Sequence, residues 1–319
     1  MSIELPYYPY SEYLKCKYGE KVYKLPVNLP VSCPNRRMGA GCAYCSELGT
    51  GFEAMDQIIP VAEQLEQTRI YIEHRYHARR FIAYFQNYTN TYLELDRFAS
   101  YMEEAAKLSY IAELAVSTRP DCISGEYLEI LARLGRQYGK NITIELGLQT
   151  VNFHTLERVN RGHTLAEFID AVLAVHRFGF ELCAHVILNL PGDQLLDAVE
   201  TAKVLSALKL QTVKAHSLYI AKNSPLCDAY EKGSISLCSK EEYLKRLTAF
   251  LEYLDPGIAV ERLFSRVPKK ESVFCNWGCS WWKLRDELLE FMADTHSYQG
   301  KQFHYLDGSA LKRAGFVKN

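Results

Sequence analysis

The sequence predicts an α/β protein, an open, partial (β/α)6 TIM-like barrel followed by a small C-terminal α/β extension. Helical and strand-like hydrophobic patterns alternate with a loose period of roughly 30 residues through the first two thirds of the chain. Strict alternation of this kind implies parallel strands joined by right-handed crossovers. The repeat stops near residue 220, after six strands, too few for a closed eight-stranded barrel.

In order, the first strand is expected at residues 22–28, directly before a cluster of cysteines. Pro60 suits the first turn of a helix carrying Val61, Leu65, Ile72 and Tyr76 on one stripe. The short apolar run 81–85 is the second strand. Leu93, Phe98, Tyr101 and Ala105 mark the next helix, and 112–117 the third strand. Leu128, Leu131 and Leu134 lead to the strand at 142–148. Leu165, Phe168, Val172 and Val175 form a clear helix, with Gly179 as its C-terminal cap. Strands at 183–188 and 213–220 flank a helix across 195–208. Ser239 and Glu242 have capping-box spacing and open a helix towards Leu254. A strand at 258–263 and a helix across 282–292 complete the extension. The expected divisions are an N-terminal extension (1–21), the barrel (22–222) and the C-terminal extension (223–319).

The chain has 319 residues, 37 basic against 38 acidic, with 48% apolar and 24% charged. This is the balance of a globular protein and argues against wholesale coating of nucleic acid. No secretory signal and no run long enough to cross a membrane is read, so a cytoplasmic location is expected. Ten cysteines and 22 tyrosines are the outliers. In a reducing compartment, clustered thiols point to metal binding or chemistry rather than disulfides. The tyrosines are read mainly as barrel core and amphipathic surface.

Cys33, Cys42 and Cys45 form a C-x8-C-x2-C array in the loop after the first strand. The close pair lets two thiolates converge, and Gly39 and Gly41 let the loop fold back so that Cys33 can join them. A structural zinc wants four ligands, whereas a cubane on three cysteines leaves one iron open. From the array alone, a cluster, zinc and unbound thiols all remain open.

The wider set of motifs resembles the radical S-adenosylmethionine (SAM) superfamily. The narrower resemblance is to its YhcC/YtqA-like branch, related to the Elongator catalytic subunit and oxygen-independent coproporphyrinogen oxidase. It is carried by CPNRRMGAGCAYC (33–45), FQNYTNTY (85–92), STRPDCI (117–123), ELGLQT (145–150), NRGH (160–163), AHVILNLPGD (184–193) and VKAHSLYI (213–220). The resemblance implies that Cys33, Cys42 and Cys45 bind three irons of a [4Fe–4S] cluster. The fourth iron then chelates SAM, and one electron releases a 5′-deoxyadenosyl radical that removes hydrogen from substrate. It also implies an external electron donor of flavodoxin or ferredoxin type.

By motif position, Tyr44 falls near the adenine, and Asn87 and Thr89 near the methionyl amine. Gln149 and Arg161 match the glutamine and arginine that hold SAM, Arg161 being suited to its carboxylate. Ser117 and His185 fall where the coproporphyrinogen oxidase relative carries acidic ribose contacts; the location carries over, the acid does not. Three departures stand out: a shorter spacer between Cys33 and Cys42, Asn189 for a glycine, and Asp193 for a glutamate. The last two are expected to alter the adenine side of the pocket.

Other features have competing readings. His216, on the sixth strand, either faces substrate as a catalytic candidate or is a satisfied barrel histidine. His163 either acts on substrate or caps the helix at Thr164. Cys275 and Cys279, among Trp277, Trp281 and Trp282, read as packing before a second metal half-site. Arg36 and Arg37 suit a phosphate, or are solvated loop charges. The basic, aromatic stretch 71–80 suits an RNA backbone, or is a charged outer helix face. Three functions follow: a radical SAM enzyme modifying a tRNA wobble uridine side chain, one acting on a small metabolite or protein side chain, and a zinc-stabilised or nucleic-acid-binding scaffold. Oligomeric state is not legible.

Overall fold

The computed structural model describes residues 5–39, 41–45 and 54–317. Ala40 of the cysteine loop and the outermost residues of the two expected terminal segments lie outside the described residues.

Among the described residues nine strands form two sheets: β1 (Val22–Val27), β2 (Arg80–Phe85), β3 (Ile111–Thr118), β4 (Asn141–Gln149), β5 (Glu181–Ile187), β6 (Thr212–His216), β7 (Tyr219–Ala221), β8 (Ala259–Arg262) and β9 (Ser272–Cys275). Seven are parallel in the order β1-β2-β3-β4-β5-β6-β8, a curled half-barrel; β7 and β9 pair antiparallel. The seventh parallel strand is the one assigned from sequence to the extension. It pairs with β6 through Thr212–Ala259 and Val213–Val260. The expected strand at 213–220 is broken in two. Asn189 Oδ1 accepts the Leu218 N–H at 2.6 Å, and Ser217 Oγ accepts the Ser265 N–H at 3.0 Å, so the chain leaves the ladder after His216.

Residue alternation decides which face is which. Phe81, Ala83 and Phe85 of β2, and Ile142, Ile144, Leu146 and Leu148 of β4, point outwards into the main core with Leu182, Ala184, Val213 and Ala215. The helices α1 (Tyr10–Tyr18), α2 (Pro34–Arg37), α3 (Val61–Tyr76), α4 (Leu95–Ala106), α5 (Gly125–Tyr138), α6 (Phe153–Arg158), α7 (Leu165–Arg177), α8 (Leu195–Ala207), α9 (Pro225–Glu231), α10 (Lys240–Tyr253), α11 (Trp281–Asp294) and α12 (Ser309–Arg313) follow in order. Of these, α3, α4, α5, α7, α8 and α10 bury their apolar stripes on the outer face. Each fully buried large aliphatic contributes about 1.5–3 kcal/mol relative to exposure. Helix ends follow local chemistry: Thr164 and Glu167 form a capping box on α7, Gly179 turns the chain after it at φ 69°, and Ser239 caps α10.

The inner face carries the alternate residues, and these are polar to an unusual degree. The N-terminal segment closes the gap between the edge strands β1 and β8. Pro9 bridges Val260, whose N–H donates to the Tyr8 carbonyl at 2.8 Å. Leu14 of α1 then packs beneath the barrel on Val22, Ile82, Tyr84 and Ala115. Lys17 reaches Glu113 at 2.7 Å and Glu181 at 2.6 Å. Tyrosines wrap these cations: Lys24 Nζ lies 4.8 Å from the Tyr10 ring centre and 4.9 Å from that of Tyr84.

The basic stretch 71–80 ends α3 and starts β2, at the end of the sheet opposite the strands' C-terminal ends. There Arg80 pairs with Glu20 and the Tyr23 and Tyr76 rings stack at 5.0 Å.

Candidate active site and cofactor pocket

A cavity of about 320 Å³ opens at the C-terminal ends of the strands. Its upper wall is the cysteine loop. Cys33 follows β1 and precedes α2, whose Pro34 takes the first-turn position. Asn35, buried behind it, stitches the loop to the segment after α6: its Nδ2 donates to the carbonyls of Asn160 at 2.6 Å and Arg161 at 2.9 Å, and lies 3.4 Å from Cys42 Sγ. Asn160 Nδ2 answers by donating to the Gly41 carbonyl at 2.9 Å. At Gly162 (φ +77°) an added Cβ would sit 2.3 Å from Asn35 Oδ1, so only glycine fits that contact. The run Asn160–His163 is therefore the seat of the cysteine loop.

Two guanidinium groups face the thiols. Arg161 Nη1 lies 3.7 Å from Cys42 Sγ while Nη2 donates to the Gly147 carbonyl at 2.7 Å; its buried Nε has no partner among the described residues. Arg119, which the motif comparison did not single out, lies 3.7 Å from Cys33 Sγ and is held bidentately by Asp121 at 2.9 and 2.6 Å. Burial pushes the Cys33 thiol up, but the nearby Thr89 hydroxyl and Asn35 backbone N–H, with Arg119, outweigh it and leave the thiol below its ordinary value. Burial and the neighbouring Cys42 raise Cys45. Among the described residues, the trio of metal-ligating side chains gathered within 4.8 Å is Glu145, Cys183 and His185; the three loop cysteines stand further apart. The two flanking cations and the orphaned Arg161 Nε fit a thiolate-bound cluster with an anionic ligand beside it.

Tyr44, Thr89, Ser117, Gln149, Arg161, His185 and His216 all line the cavity. Asn87 does not: it is buried behind the wall, its Nδ2 donating to Asn28 Oδ1 at 2.9 Å. The positive φ of Tyr88 (53°) turns the loop there and brings the buried Thr89 to the cavity wall instead. Neither Asn189 nor Asp193 lines the cavity. Asn189 acts at one remove by holding Leu218, which does, and the buried Asp193 carboxyl, pushed up to about 6 by burial, has its backbone carbonyl held by Arg246 at 2.8 Å. The His163 ring is buried against the carbonyls of Gly147 (3.0 Å) and Thr164 (3.1 Å), outside the cavity lining. Trp277 packs on Tyr243 with ring centres 5.1 Å apart and donates to the Cys238 carbonyl at 3.0 Å.

The cavity floor is a set of charges that sequence reasoning missed. Lys24 of β1 meets Glu145 of β4 at 2.6 Å and Glu261 of β8 at 2.7 Å; Lys214 of β6 meets Glu145 at 2.8 Å and Glu261 at 3.4 Å. Opposite edges of the half-barrel are thus tied across its lumen. Lys214 and Lys24 hold the fully buried Glu145 carboxyl well below the usual range, against the upward push of burial. His185 Nε2 lies 2.6 Å from Glu145 and its ring stacks on His216 at 5.6 Å. Burial and Lys214 lower the His185 pKa, so it is a neutral imidazole donating through Nε2, with Nδ1 left as an acceptor. The signal was present: Lys24, Glu145 and Lys214 are charged residues in strands whose alternate positions are apolar.

With this geometry the comparisons are unambiguous. A family model described as the Radical SAM superfamily matches residues 27–205, and a Radical_SAM C-terminal domain model matches 210–294. The chain belongs to the radical SAM superfamily. YhcC of Escherichia coli K12 is 30% identical over 300 residues, 93% of each chain, and YtqA of Bacillus subtilis 29% over 308 residues, 95% of each. The tRNA uridine(34) acetyltransferase of Methanocaldococcus jannaschii is 24% identical over 178 residues, 53% of this chain and 32% of that protein. In fold, the chain is similar to the archaeal Methanocaldococcus infernus Elp3 with an N-terminal deletion, at a TM-score of 0.66 and 15% identity over 87% of this chain and 64% of that one. This radical SAM enzyme thus has the curled half-barrel of its superfamily and uses a [4Fe–4S] cluster and SAM. No helix among the described residues is long and apolar enough to cross a membrane.

Proposed function

We propose that Cys33, Cys42 and Cys45 hold the cluster, that Gln149 and Arg161 bind SAM beside it, and that the enzyme removes hydrogen from a side chain on a tRNA wobble uridine. The observation that carries the site is the single cavity that gathers the three cysteines with Arg161, Gln149, Ser117 and His185. Arg161 offers a carboxylate a planar fork whose Nε has no partner among the described residues. When bound, cluster and SAM supply a one-electron cleavage that generates the hydrogen abstractor. The chain's own residues orient and shield. His185, held by Glu145, presents Nδ1 to a ribose hydroxyl, and Ser117 Oγ, 3.3 Å from Tyr84 OH, adds a second polar contact. The apolar Ile187 and Leu218 and the sealed ionic floor limit water.

In this reading the barrel up to about residue 222 carries the cofactor wall, and the segment after it supplies the facing wall: Arg262, Ser265, Arg266 and Val267. The electron comes from an external flavodoxin- or ferredoxin-type donor. The tRNA assignment is supported by the partial likeness to a tRNA uridine(34) enzyme. Mass spectrometry of tRNA nucleosides from a deletion strain tests it: loss of a modified wobble uridine with build-up of its precursor is expected, and an unchanged nucleoside profile refutes it.

A further inference from the structure

Four cations of the barrel interior have carboxylate partners: Lys17, Lys24, Lys214 and Arg119 each lie within 2.8 Å of one, while Arg161 is held by the Gly147 carbonyl and faces the Cys42 thiol. Arg262 departs from this pattern. It is half-buried in the cavity wall yet makes no ion pair and no side-chain hydrogen bond among the described residues. A bulge puts it there. Val213 faces Val260, but the next pair is Lys214 with Arg262, leaving Glu261 as an extra residue in β8. A bulge re-aims side chains that alternation would send to opposite faces. Two consecutive charged residues therefore both line the lumen: Glu261 enters the floor and Arg262 stands above it. Lys24 and Lys214 cancel Glu145 and Glu261, so the floor has no carboxylate to spare for Arg262.

His216 is the neighbouring group. Its ring stacks on His185 and makes no hydrogen bond among the described residues. Burial, with Arg262 and His185 adding to it, keeps it neutral. The groups facing it are Arg262, His185, Lys214 and Glu145, the last two already paired with each other. A guanidinium without a carboxylate partner beside an imidazole with open nitrogens, on the wall supplied by β6 and β8, matches an oxyanion that offers two oxygens to the fork.

We propose that Arg262, with His216, forms an oxyanion subsite for the substrate on the wall made by β6 and β8, next to the ribose contact His185 and on strands other than the one that carries Gln149, taking a phosphate or carboxylate group. Arg161 and Gln149 serve the cofactor, and Arg262 orients what is presented to it. The proposal rests on the radical SAM reading of the cavity and, for its turnover arm only, on tRNA as substrate.

The test uses the anaerobically reconstituted full chain loaded with SAM, as wild type, Arg262→Gln and Arg262→Lys, with thermal melts confirming equal folding. The direct arm follows ³¹P line width of inorganic phosphate and ¹³C line width of acetate. At least one anion should be broadened by wild type, with binding weakened about ten- to hundred-fold in Arg262→Gln, as expected for one lost charge-assisted contact, and partly restored in Arg262→Lys. Which anion responds tells phosphate from carboxylate. Equal broadening by wild type and Arg262→Gln, or none by either, overturns the subsite. SAM affinity by calorimetry should stay within about two-fold across the variants; a large loss in Arg262→Gln makes it a cofactor residue and overturns the assignment. In turnover with tRNA from a deletion strain, KM should rise in Arg262→Gln more than kcat falls, and an unchanged KM counts against the subsite. If wild type alters no tRNA, that refutes the wobble-uridine reading while the anion arm still decides the subsite.

Discussion

Replacing Glu145 with glutamine removes one charge from the floor without changing its volume. The carboxylate is fully buried and receives Lys24 at 2.6 Å, Lys214 at 2.8 Å and His185 at 2.6 Å. Glutamine can accept at most part of this set and leaves two buried ammonium groups sharing Glu261 alone. Breaking a buried pair by removing one partner typically costs about 3–5 kcal/mol, because the stranded charge has lost its solvation. We expect Glu145→Gln to lower the unfolding free energy of the apo protein by about that amount at pH 7, measured by urea denaturation. Adding Lys214→Met should recover part of the loss, since it removes one stranded charge. The pH dependence has a defined sign. The folded pKa of Glu145 is depressed, so its contribution is complete above the unfolded value of about 4.3 and is lost as pH falls through the folded value. Wild type and variant should therefore converge in acid. A difference below about 1 kcal/mol at pH 7, with no convergence below about pH 4, would refute the idea that this network ties the two edges of the half-barrel.

Three further outcomes follow from the site. His163, lowered to about 4 by burial and Arg161, should stay neutral from about pH 8 down to about pH 5.5 by imidazole NMR, and its contribution to stability, complete above the unfolded value of about 6.5, should be lost as pH falls from there towards 4; titration near 6.5 in the native state contradicts this. Gly162→Ala places a methyl carbon against Asn35 Oδ1 and at 3.0 Å from Arg119 Nη2, so iron incorporation should drop although every cysteine remains. Full iron loading in that variant would show that the seat does not set the loop. Asn276→Ala removes the partner of Ser217 Oγ (2.5 Å) and the donor to the Ser265 carbonyl (2.8 Å); a loss of about 1–3 kcal/mol in denaturant unfolding is expected, and an unchanged midpoint shows that these two contacts do not hold the chain after His216.

The parallel strands and their helices were legible because the outward face of each strand is continuously apolar and the helical stripes are regular. The cysteine loop was legible from its spacing. What could not be read was anything set by contact across the lumen. The strand at Ala259–Arg262 looks local in sequence, and only the sheet shows that it extends the barrel. The break after His216 depends on Asn189 and Ser265, far away in the chain. Asn87 turns away to Asn28 and Thr89 takes its place at the wall, because the left-handed Tyr88 between them was not foreseeable from composition. Arg262 stood in plain view, but its direction depends on a bulge that no periodicity announces.

The measurement that bears most directly on the account is electron paramagnetic resonance of the anaerobically reconstituted, dithionite-reduced protein, with and without SAM. Wild type should show a [4Fe–4S]⁺ signal whose shape changes when SAM is added, and Cys42→Ala should lose it. Arg161→Gln should keep the signal but lose its response to SAM. No cluster signal after careful reconstitution, with iron and sulfide absent, would contradict the assignment of Cys33, Cys42 and Cys45 as ligands.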